Sequence, residues 1–598
     1  MAATPILKHS PDTSPKPAKP KLGLRAWMER VLEECDRADR DFDADAVHDL
    51  RVALRRCRSL ADGLIALDPD SSWKDMKKAG KKVFQALGDL RDMQVMEEWI
   101  DKLSEKLSDM SNEKSSDKPS DKSNETRDPS NDPVAARLLD YIHAREAVCK
   151  QLARKDLDQF DRKQWRQWSK TLPQRAARVR PGSVVYLHLA LEKWTEAYDL
   201  HKRALRTRST VGWHQLRIGI KHFRYTVENF LPAQHAQWGD DLKELQDLLG
   251  EVHDLDVLWA TAIDSNVNAF PDLQSRKEWR EKLNVERQKR LARYRDKMVG
   301  RHSLWRLWRA DLPSGPQLHA AAMSRLRTWA GYLDPDFAHA QRVAQLSLHL
   351  YDGLKNAGLV VANRTSSTSV APNATSQTVD PDSELDPRAI LQAAAFMHEV
   401  GQARGQKNHQ KKSYRMIRGM TRPLGWSARE LELAATVARY HRGALPRPRG
   451  KIMQRLDLPD RPTATMLAAI LRLSAALDIR KLRNEKQSAS RDAARSRADQ
   501  AAAKRVEVRL QDNFIIVRAE GYSPLDRSAE RIAAARHLLE AVLRRPVLVR
   551  PLRASATRVR SAVRRPESNA ASNLAKRIEK RIEKSNEQAT ESRAQKAA

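Results

Sequence analysis

Two stretches of the chain share one pattern, VHDLRVALRRCRSL at residues 47–60 and WHQLRIGIKHFRYT at residues 213–226. Aligned on their histidines, both carry basic side chains three, seven and ten positions later. The matched positions are His48, Arg51, Arg55 and Arg58 in the first copy and His214, Arg217, Lys221 and Arg224 in the second. On a helix that turns about 100° per residue, this spacing keeps all four within roughly 80° of arc. Each copy is therefore predicted to be an amphipathic helix with one basic stripe.

A second pair of matching segments follows the stripes, LGDLRDMQV from Leu87 and LGEVHDLDV from Leu249. The register aligns Gly88 with Gly250, Asp92 with Asp254 and, upstream, Lys81 with Lys243. Because two linked elements recur in the same order, the N-terminal half is predicted to be a duplicated helical unit. We interpret the two aspartates as helix caps or arginine partners rather than as catalytic acids.

Stacked like charges cost a helix stability unless a ligand compensates them. Arginine offers a planar fork suited to phosphate oxygens, lysine a compact charge, and histidine a donor whose pKa an anion raises. A linear polyanion therefore fits a stripe better than a small ion does. A solvated basic face is the simpler alternative for one such helix, and the repetition in one chain argues against it.

The charge balance restricts the partners of the chain. Among its 598 residues, Lys and Arg outnumber Asp and Glu by 109 to 77, a net charge of +32. Nucleic acid, anionic membrane and other polyanions are the candidates. The cysteines Cys35, Cys57 and Cys149 show no paired metal spacing and suit a reducing cytosol. No signal peptide and no apolar run of about 18 residues are evident, so we expect a cytoplasmic protein without a membrane span.

With both copies in view, residues 21–311 resemble the CHAD family, the conserved histidine α-helical domain. The resemblance implies two pseudo-symmetric helical bundles around a basic groove or pore that binds inorganic polyphosphate. It assigns the contacts to both stripes together with Lys81 and Lys243. Lys221 departs from the arginine of the pattern, which keeps the charge and loses the fork.

Histidines and acidic residues recur in the second half, within the phrases HQKKSYRMI from His409, RYHRGALP from Arg439 and LRLSAALD ending at Asp478. Residues 317–552 resemble the HD-type C-terminal domain of the exopolyphosphatase and guanosine pentaphosphate phosphohydrolase family. The resemblance implies a helical domain that could hold a divalent metal through His339, His398, Glu399 and Asp478. Glu399 replaces the usual aspartate, and its extra methylene moves the carboxylate. No Gly-rich phosphate loop was found, so we expect weak or no catalysis and leave the cofactor open.

The same region is rich in cations. We predict a second anion site from His409, Lys411, Lys412, Arg439, His441 and Arg442.

The expected fold is mainly α, ending in a small β-hairpin, helix and strand. Val506, Val508 and Leu510 alternate before a turn at Asp512 and an apolar run at residues 514–519. A helix is expected at residues 528–543 and a third strand at residues 547–549. Polar composition predicts tails at residues 1–20 and 553–598 and flexible inserts at residues 107–133 and 363–386.

The preferred function is polyphosphate binding, with polyphosphate granules as a candidate location. The alternative is an HD-type phosphohydrolase that acts on polyphosphate or a phosphorylated nucleotide and uses the CHAD-like part to recruit substrate. A nucleic-acid binder is disfavoured because RNP, zinc-finger and KH motifs are missing and aromatic residues do not interleave with the stripes. The oligomeric state stays open.

Overall fold

The computed structural model describes residues 23–40, 42–113, 132–360, 385–478, 506–526 and 528–552. Both expected tails and most of both expected inserts lie outside these ranges. Where the first insert was expected to begin, at residue 107, the helix Lys81–Glu113 continues. Helix elongation adds one hydrogen bond per residue to an existing turn, so a polar sequence can extend a helix that its apolar part has nucleated.

The described chain is mainly helical, as predicted. Its α-helices are α1 (Leu24–Arg40), α2 (Ala44–Ile65), α3 (Ser72–Ala79), α4 (Lys81–Glu113), α5 (Pro133–Asp158), α6 (Arg162–Ala176), α7 (Val184–Thr207), α8 (Thr210–Phe230), α9 (Pro232–Ala262), α10 (Leu273–Met298), α11 (Leu304–Ala310), α12 (Pro316–Leu333), α13 (Phe337–Asn356), α14 (Pro387–Met397), α15 (His409–Arg418), α16 (Ala428–Arg439), α17 (Asp460–Leu477) and α18 (Ser528–Leu543).

The described residues divide into two compact units. The first takes residues 23–344 and 385–471, and the second takes residues 345–360, 472–478, 506–526 and 528–552. In the first unit the expected duplication is visible as two similar series of helices. Helix α1 packs on α2, which leads by way of α3 to α4, and α7 packs on α8, which leads to α9. The basic stripes are carried by α2 and α8, which also pack on each other.

The contact between α2 and α8 is close near their C-terminal ends. Gly63 lies against the ring of Phe230, where a Cβ atom on the glycine would overlap the ring. Nearby, Asn229 Nδ2 donates to Ser59 Oγ at 3.1 Å. These contacts fix the two helices side by side and so orient the stripes on their remaining turns.

The later helices of the first unit pack on the duplicated part. Helix α12 lies on α7, where Arg325 pairs with Glu192. His188 Nε2 lies 2.8 Å from the carbonyl oxygen of Leu424, and the Tyr332 hydroxyl donates to the Arg175 carbonyl at 2.9 Å. Helices α14 and α15 both pack on α16, and His398, His409 and His441 lie in or just after these three helices.

The second unit contains a three-stranded sheet of β1 (Val506–Gln511), β2 (Phe514–Glu520) and β3 (Val547–Leu552). The predicted hairpin is confirmed, because β1 and β2 are antiparallel with Val508 opposite Val517. Asp512 takes a positive φ of 52° at the turn, a conformation that aspartate tolerates better than most residues. After α18, β3 pairs in parallel with β2 and runs three residues beyond its predicted end.

None of the helices in these described ranges combines the length and the apolar character needed to cross a membrane.

Candidate functional site

The structure brings the two predicted stripes together across the α2–α8 contact. The charges of Arg217, Arg55, Arg51 and Arg58 all act on Lys221, and that of Arg217 also acts on Arg51. Burial first, and then these neighbouring cations, lower the pKa of Lys221 from 10.5 to about 8. The side chains face one shared space, which we call the basic groove. Its centre is formed by five of the predicted stripe residues, Arg51, Arg55, Arg58, Arg217 and Lys221.

The first copy is held by backbone carbonyls. Arg51 Nη1 donates to the Leu87 carbonyl on α4 at 3.0 Å. A Cβ atom on Gly88 would lie 3.1 Å from the same Nη1, so the glycine of the repeated motif leaves room for the guanidinium. Arg58 Nη1 donates to the Lys77 carbonyl at 3.0 Å. Two of the three arginines of this stripe are therefore fixed before any ligand arrives.

The second copy is held differently. His214 Nδ1 lies 3.3 Å from Nδ1 of His253, a residue of α9. Arg224 lies 3.9 Å from the carboxylate of Glu228 on the same helix. Arg217, like Arg55 of the first copy, makes no hydrogen bond or ion pair within the described part of the chain. These two arginines keep their donors available to a ligand.

Acidic residues border the basic groove without neutralising it. Burial raises the pKa of Asp254 to about 6, against the opposing charge of Arg217. The charge of Asp92 similarly acts on Arg51. Both aspartates lie inside long helices, α4 and α9, so they are not helix caps, and the charge of Arg217 acts on both. Burial and the Arg217 charge lower the pKa of His214 and, to about 4, that of His253, which leaves both imidazoles neutral at pH 7.

The remaining predicted groove contacts lie on the surface. His48 is an exposed residue of α2. Lys81 in the first turn of α4 and Lys243 in α9 are exposed as well. The charges of Lys243 and Arg224 both act on Asp247, which indicates that Lys243 is near the end of the second stripe.

A second group of chemistry-bearing residues is buried in the later helices. Its members are His339, His398, Glu399, His409 and His441, each less than 5% exposed. Their ligand atoms form two triads that share Glu399, and within each triad all atoms lie within 4.8 Å of one another. We call this group the histidine cluster.

Backbone carbonyls set the protonation of three rings in the cluster. His398, His409 and His441 hold Nδ1 2.7, 3.1 and 2.8 Å from the carbonyl oxygen of the residue three positions earlier. A carbonyl only accepts, so Nδ1 carries the proton and Nε2 presents a lone pair. The Nε2 atoms of His409 and His441 lie 3.4 Å apart. A cation would relieve two lone pairs at that distance, and this arrangement is typical of metal-ligating imidazoles.

Glu399 reaches the cluster despite its extra methylene. Its Oε1 lies 4.0 Å from Nε2 of both His339 and His409, while Oε2 accepts from Gln402 at 2.6 Å. In a tetrahedral site, ligand atoms about 2.0–2.2 Å from one metal lie about 3.3–3.6 Å apart, so these oxygen–nitrogen distances would have to shorten for a divalent ion to bind. The Glu399 carboxylate therefore lies beside both histidines, and metal binding stays a prediction.

Two further buried acidic residues, Asp334 and Asp478, concern the predicted metal site. Asp334 was missed from the sequence, yet it is buried and its carboxylate interacts with His339 and Glu399; burial raises its pKa to about 6. Its position before α13, with two intervening residues, gave no motif to recognise. Asp478, the fourth predicted ligand, is a buried residue of the second unit.

Family comparisons agree with both regions. Residues 23–262 match the CHAD domain. Residues 326–519 match Ppx/GppA phosphatase, domain III. Both resemblances stated from the sequence are confirmed. No curated protein matches the chain.

The CHAD match covers α1 to α9, which includes the whole basic groove, whereas the domain III match covers the histidine cluster. The six residues of the predicted second anion site separate in the structure. His409 and His441 belong to the histidine cluster. Lys412 donates to the carbonyls of Arg404 and Gly405, and Arg442 is exposed. Lys411 and Arg439 line a cavity of about 380 Å³.

Proposed function

We propose that this protein binds inorganic polyphosphate in the basic groove of its CHAD domain. The observation that carries the proposal is the meeting of cations from α2 and α8 around Lys221, whose pKa is lowered by burial and then by the charges of these arginines. Holding like charges together costs free energy, and a polyanion would recover that cost. Both matched domains are linked to polyphosphate, which supports a polyphosphate-related role.

The shape of the groove supports a chain-like ligand. Each stripe extends about 15 Å along its helix, since the first and last positions are ten residues apart. Arg51 and Arg58 are preorganised by carbonyl bonds, while Arg55 and Arg217 have donors to offer. A polymer of phosphate units can contact several of these groups at once, and linked contacts act at high effective concentration.

The direct test is titration of the full chain with long-chain polyphosphate at several salt concentrations. Substituting Arg55→Gln together with Arg217→Gln should weaken binding by about a hundredfold or more, because each lost charge-assisted contact is worth roughly 1.5–3 kcal/mol. The matched control is Arg166→Gln with Arg276→Gln, two exposed arginines of α6 and α10 that lie outside both stripes. Equal losses in the two variants would refute a defined groove.

Competition with duplex DNA at matched salt separates polyphosphate binding from nucleic-acid binding. A polyphosphate site should prefer polyphosphate over DNA of equal phosphate concentration, and its affinity should fall steeply with salt. If DNA displaced polyphosphate at equal phosphate concentration, the basic charge alone would account for binding.

A metal-dependent phosphohydrolase activity is the second candidate, favoured by the histidine cluster. His339, His398, Glu399, His409 and His441 would hold the ion. A divalent metal at such a site activates a bound water for attack on phosphorus. The test is metal analysis of the purified protein, followed by phosphate release from polyphosphate.

Under this second proposal, His398→Ala and His441→Ala should each lower the metal content, whereas the Arg55→Gln and Arg217→Gln variant should retain it. Activity should be weak, because only domain III of the phosphatase family is matched. Rapid phosphate release that His398→Ala abolishes would show instead that the domain is an efficient enzyme.

A further inference from the structure

Outside the groove and the histidine cluster, cationic side chains surround the cavity of about 380 Å³ in the first unit. Helix α15 and helix α16 form two of its sides, and the segment around the short 3-10 helix Met453–Arg455 forms another. Its lining residues are Lys411, Tyr414, Arg415, Arg418, Arg439, Lys451, Ile452 and Arg455. Six of the eight are cations.

Arg439 is the buried member of this lining. It lines the cavity and is only 7% exposed, yet its Nη1 is buried and has no hydrogen-bond partner in the described part of the chain. A buried guanidinium with an unused donor costs free energy unless something accepts its hydrogen bond. An anion in the cavity would supply that acceptor.

The surrounding charges are mostly uncompensated. Glu432 is engaged by Arg418 Nε at 2.5 Å and by the Tyr414 hydroxyl at 2.9 Å. Within the residues described, Lys411, Arg415, Lys451 and Arg455 form no ion pair. Lys411, Arg415 and Arg418 follow one another at intervals of four and three, so they share one face of α15. The cavity is therefore strongly positive and has a fixed buried donor.

We propose that this cavity is a second anion site, which binds a short chain of linked phosphate groups. Several arginine forks around one space suit a ligand with many oxygens better than a single carboxylate. The chain could be inorganic oligophosphate or the phosphate tail of a nucleotide, and the same cations would hold either. The site lies outside the basic groove and does not depend on the function proposed for it.

Lysine labelling of the full chain tests the proposal directly, because a ligand in the cavity should protect the lysines that line it. Lys411 and Lys451 are both exposed and line the cavity, while the exposed Lys407 does not. Acetylation followed by mass spectrometry would be measured with increasing tripolyphosphate, ATP or inorganic phosphate. We expect tripolyphosphate to protect Lys411 and Lys451 several-fold and to leave Lys407 unchanged. Equal labelling of all three lysines at saturating tripolyphosphate would overturn the proposal.

The comparison of tripolyphosphate with ATP identifies the source of the phosphate chain. Protection by ATP at clearly lower concentration would assign the site to nucleotides. Equal or weaker protection by ATP would assign it to inorganic chains. Either outcome supports a site for linked phosphate groups, whereas a lack of protection by both compounds would refute it.

Charge reversal gives the matched variants. Arg415→Glu in the cavity should raise the tripolyphosphate concentration for half-protection by about tenfold or more. Arg422→Glu, an exposed arginine outside the cavity, should change it less than about twofold. Similar effects of both would mean that net charge, not this cavity, determines binding.

Two further variants isolate the site. Arg439→Met should also weaken protection, and because it alters a buried residue its fold is checked by circular dichroism. The groove variant with Arg55→Gln and Arg217→Gln should leave protection of Lys411 and Lys451 intact. Loss of protection in that variant would show that labelling follows the groove and would refute an independent site.

Discussion

Lys221 offers a test of the basic groove that depends on protons as well as on contacts. Its pKa of about 8, against an ordinary value of 10.5, means that holding its charge in the free protein costs about 3 kcal/mol at neutral pH. A bound polyphosphate would restore the ordinary value by surrounding the ammonium with anions. Replacing Lys221 with arginine, the residue of the other stripe, keeps the charge at every accessible pH.

The magnitude follows from the two pKa values. In the free protein the charged fraction of Lys221 falls from about 0.9 at pH 7 to about 0.1 at pH 9. If the bound state keeps the proton, wild-type affinity should drop about tenfold over that interval. The Lys221→Arg variant should lack this component. Titration of the phosphate ligand itself is common to both proteins and cancels in the comparison.

Calorimetry in two buffers of different ionisation enthalpy measures the proton directly. At pH 8 the wild type should take up about half a proton on binding polyphosphate, and Lys221→Arg should lack this uptake. Lys221→Met should bind weakly at both pH values with no such uptake. Equal pH dependence of wild type and Lys221→Arg would refute the conclusion that the α2 cations and the ligand act on this lysine.

Three further predictions concern stability and the two halves of the site. Because folding lowers the pKa of Lys221, the unfolded chain binds more protons than the folded chain between about pH 8 and pH 10.5, and the contribution of Lys221 to stability should rise with pH across that window. Denaturant titration should show a smaller rise in the Lys221→Met variant. Gly63→Ala should destabilise the protein by about 1–3 kcal/mol by displacing Phe230, whereas Gly250→Ala, with open space around its Cβ position, should be neutral or stabilising by up to about 1 kcal/mol. Chemical denaturation of both variants measures these changes, and equal effects would contradict the close contact of α2 with α8. Two double variants, Arg51→Ala with Arg55→Ala and Arg217→Ala with Lys221→Ala, should each lose a few kcal/mol of polyphosphate affinity. Only the first should also lose thermal stability, because Arg51 donates to the Leu87 carbonyl, and normal binding by either variant would mean that a single half carries the site.

Periodicity predicted the elements of the structure well where one spacing dominates. The stripe spacing identified α2 and α8, and strand alternation located β1 and β2 on either side of Asp512. Composition alone placed the start of the first insert too early, since Ser, Asp and Lys after residue 107 still continue α4 to Glu113. A helix end depends on the turn that precedes it, and local composition does not contain that information.

The candidate sites show a similar division. Matching residues across the repeat placed Arg55 and Lys221 on corresponding positions. It did not reveal the different partners that hold each copy. Sequence proximity grouped His409 with Lys411 as one anion site, although side chains two residues apart on a helix point about 200° apart. In the structure His409 turns into the buried histidine cluster and Lys411 turns to the cavity.

The proposed metal centre and the proposed phosphate site share elements of the fold, because neighbouring side chains on these elements point in opposite directions. Helix α15 carries His409 on its buried face and Lys411 and Arg415 on its exposed face. At the end of α16, His441 belongs to the histidine cluster, whereas Arg439, also buried, lines the cavity. The same two elements therefore support a candidate metal centre on one side and a candidate phosphate site on the other. A substitution that reverses one charge on the exposed side, such as Arg415→Glu, leaves the buried donors of His409 and His441 in place. Metal content and tripolyphosphate protection should consequently vary independently, and a variant of the exposed face that lost both would show that the helix itself had moved.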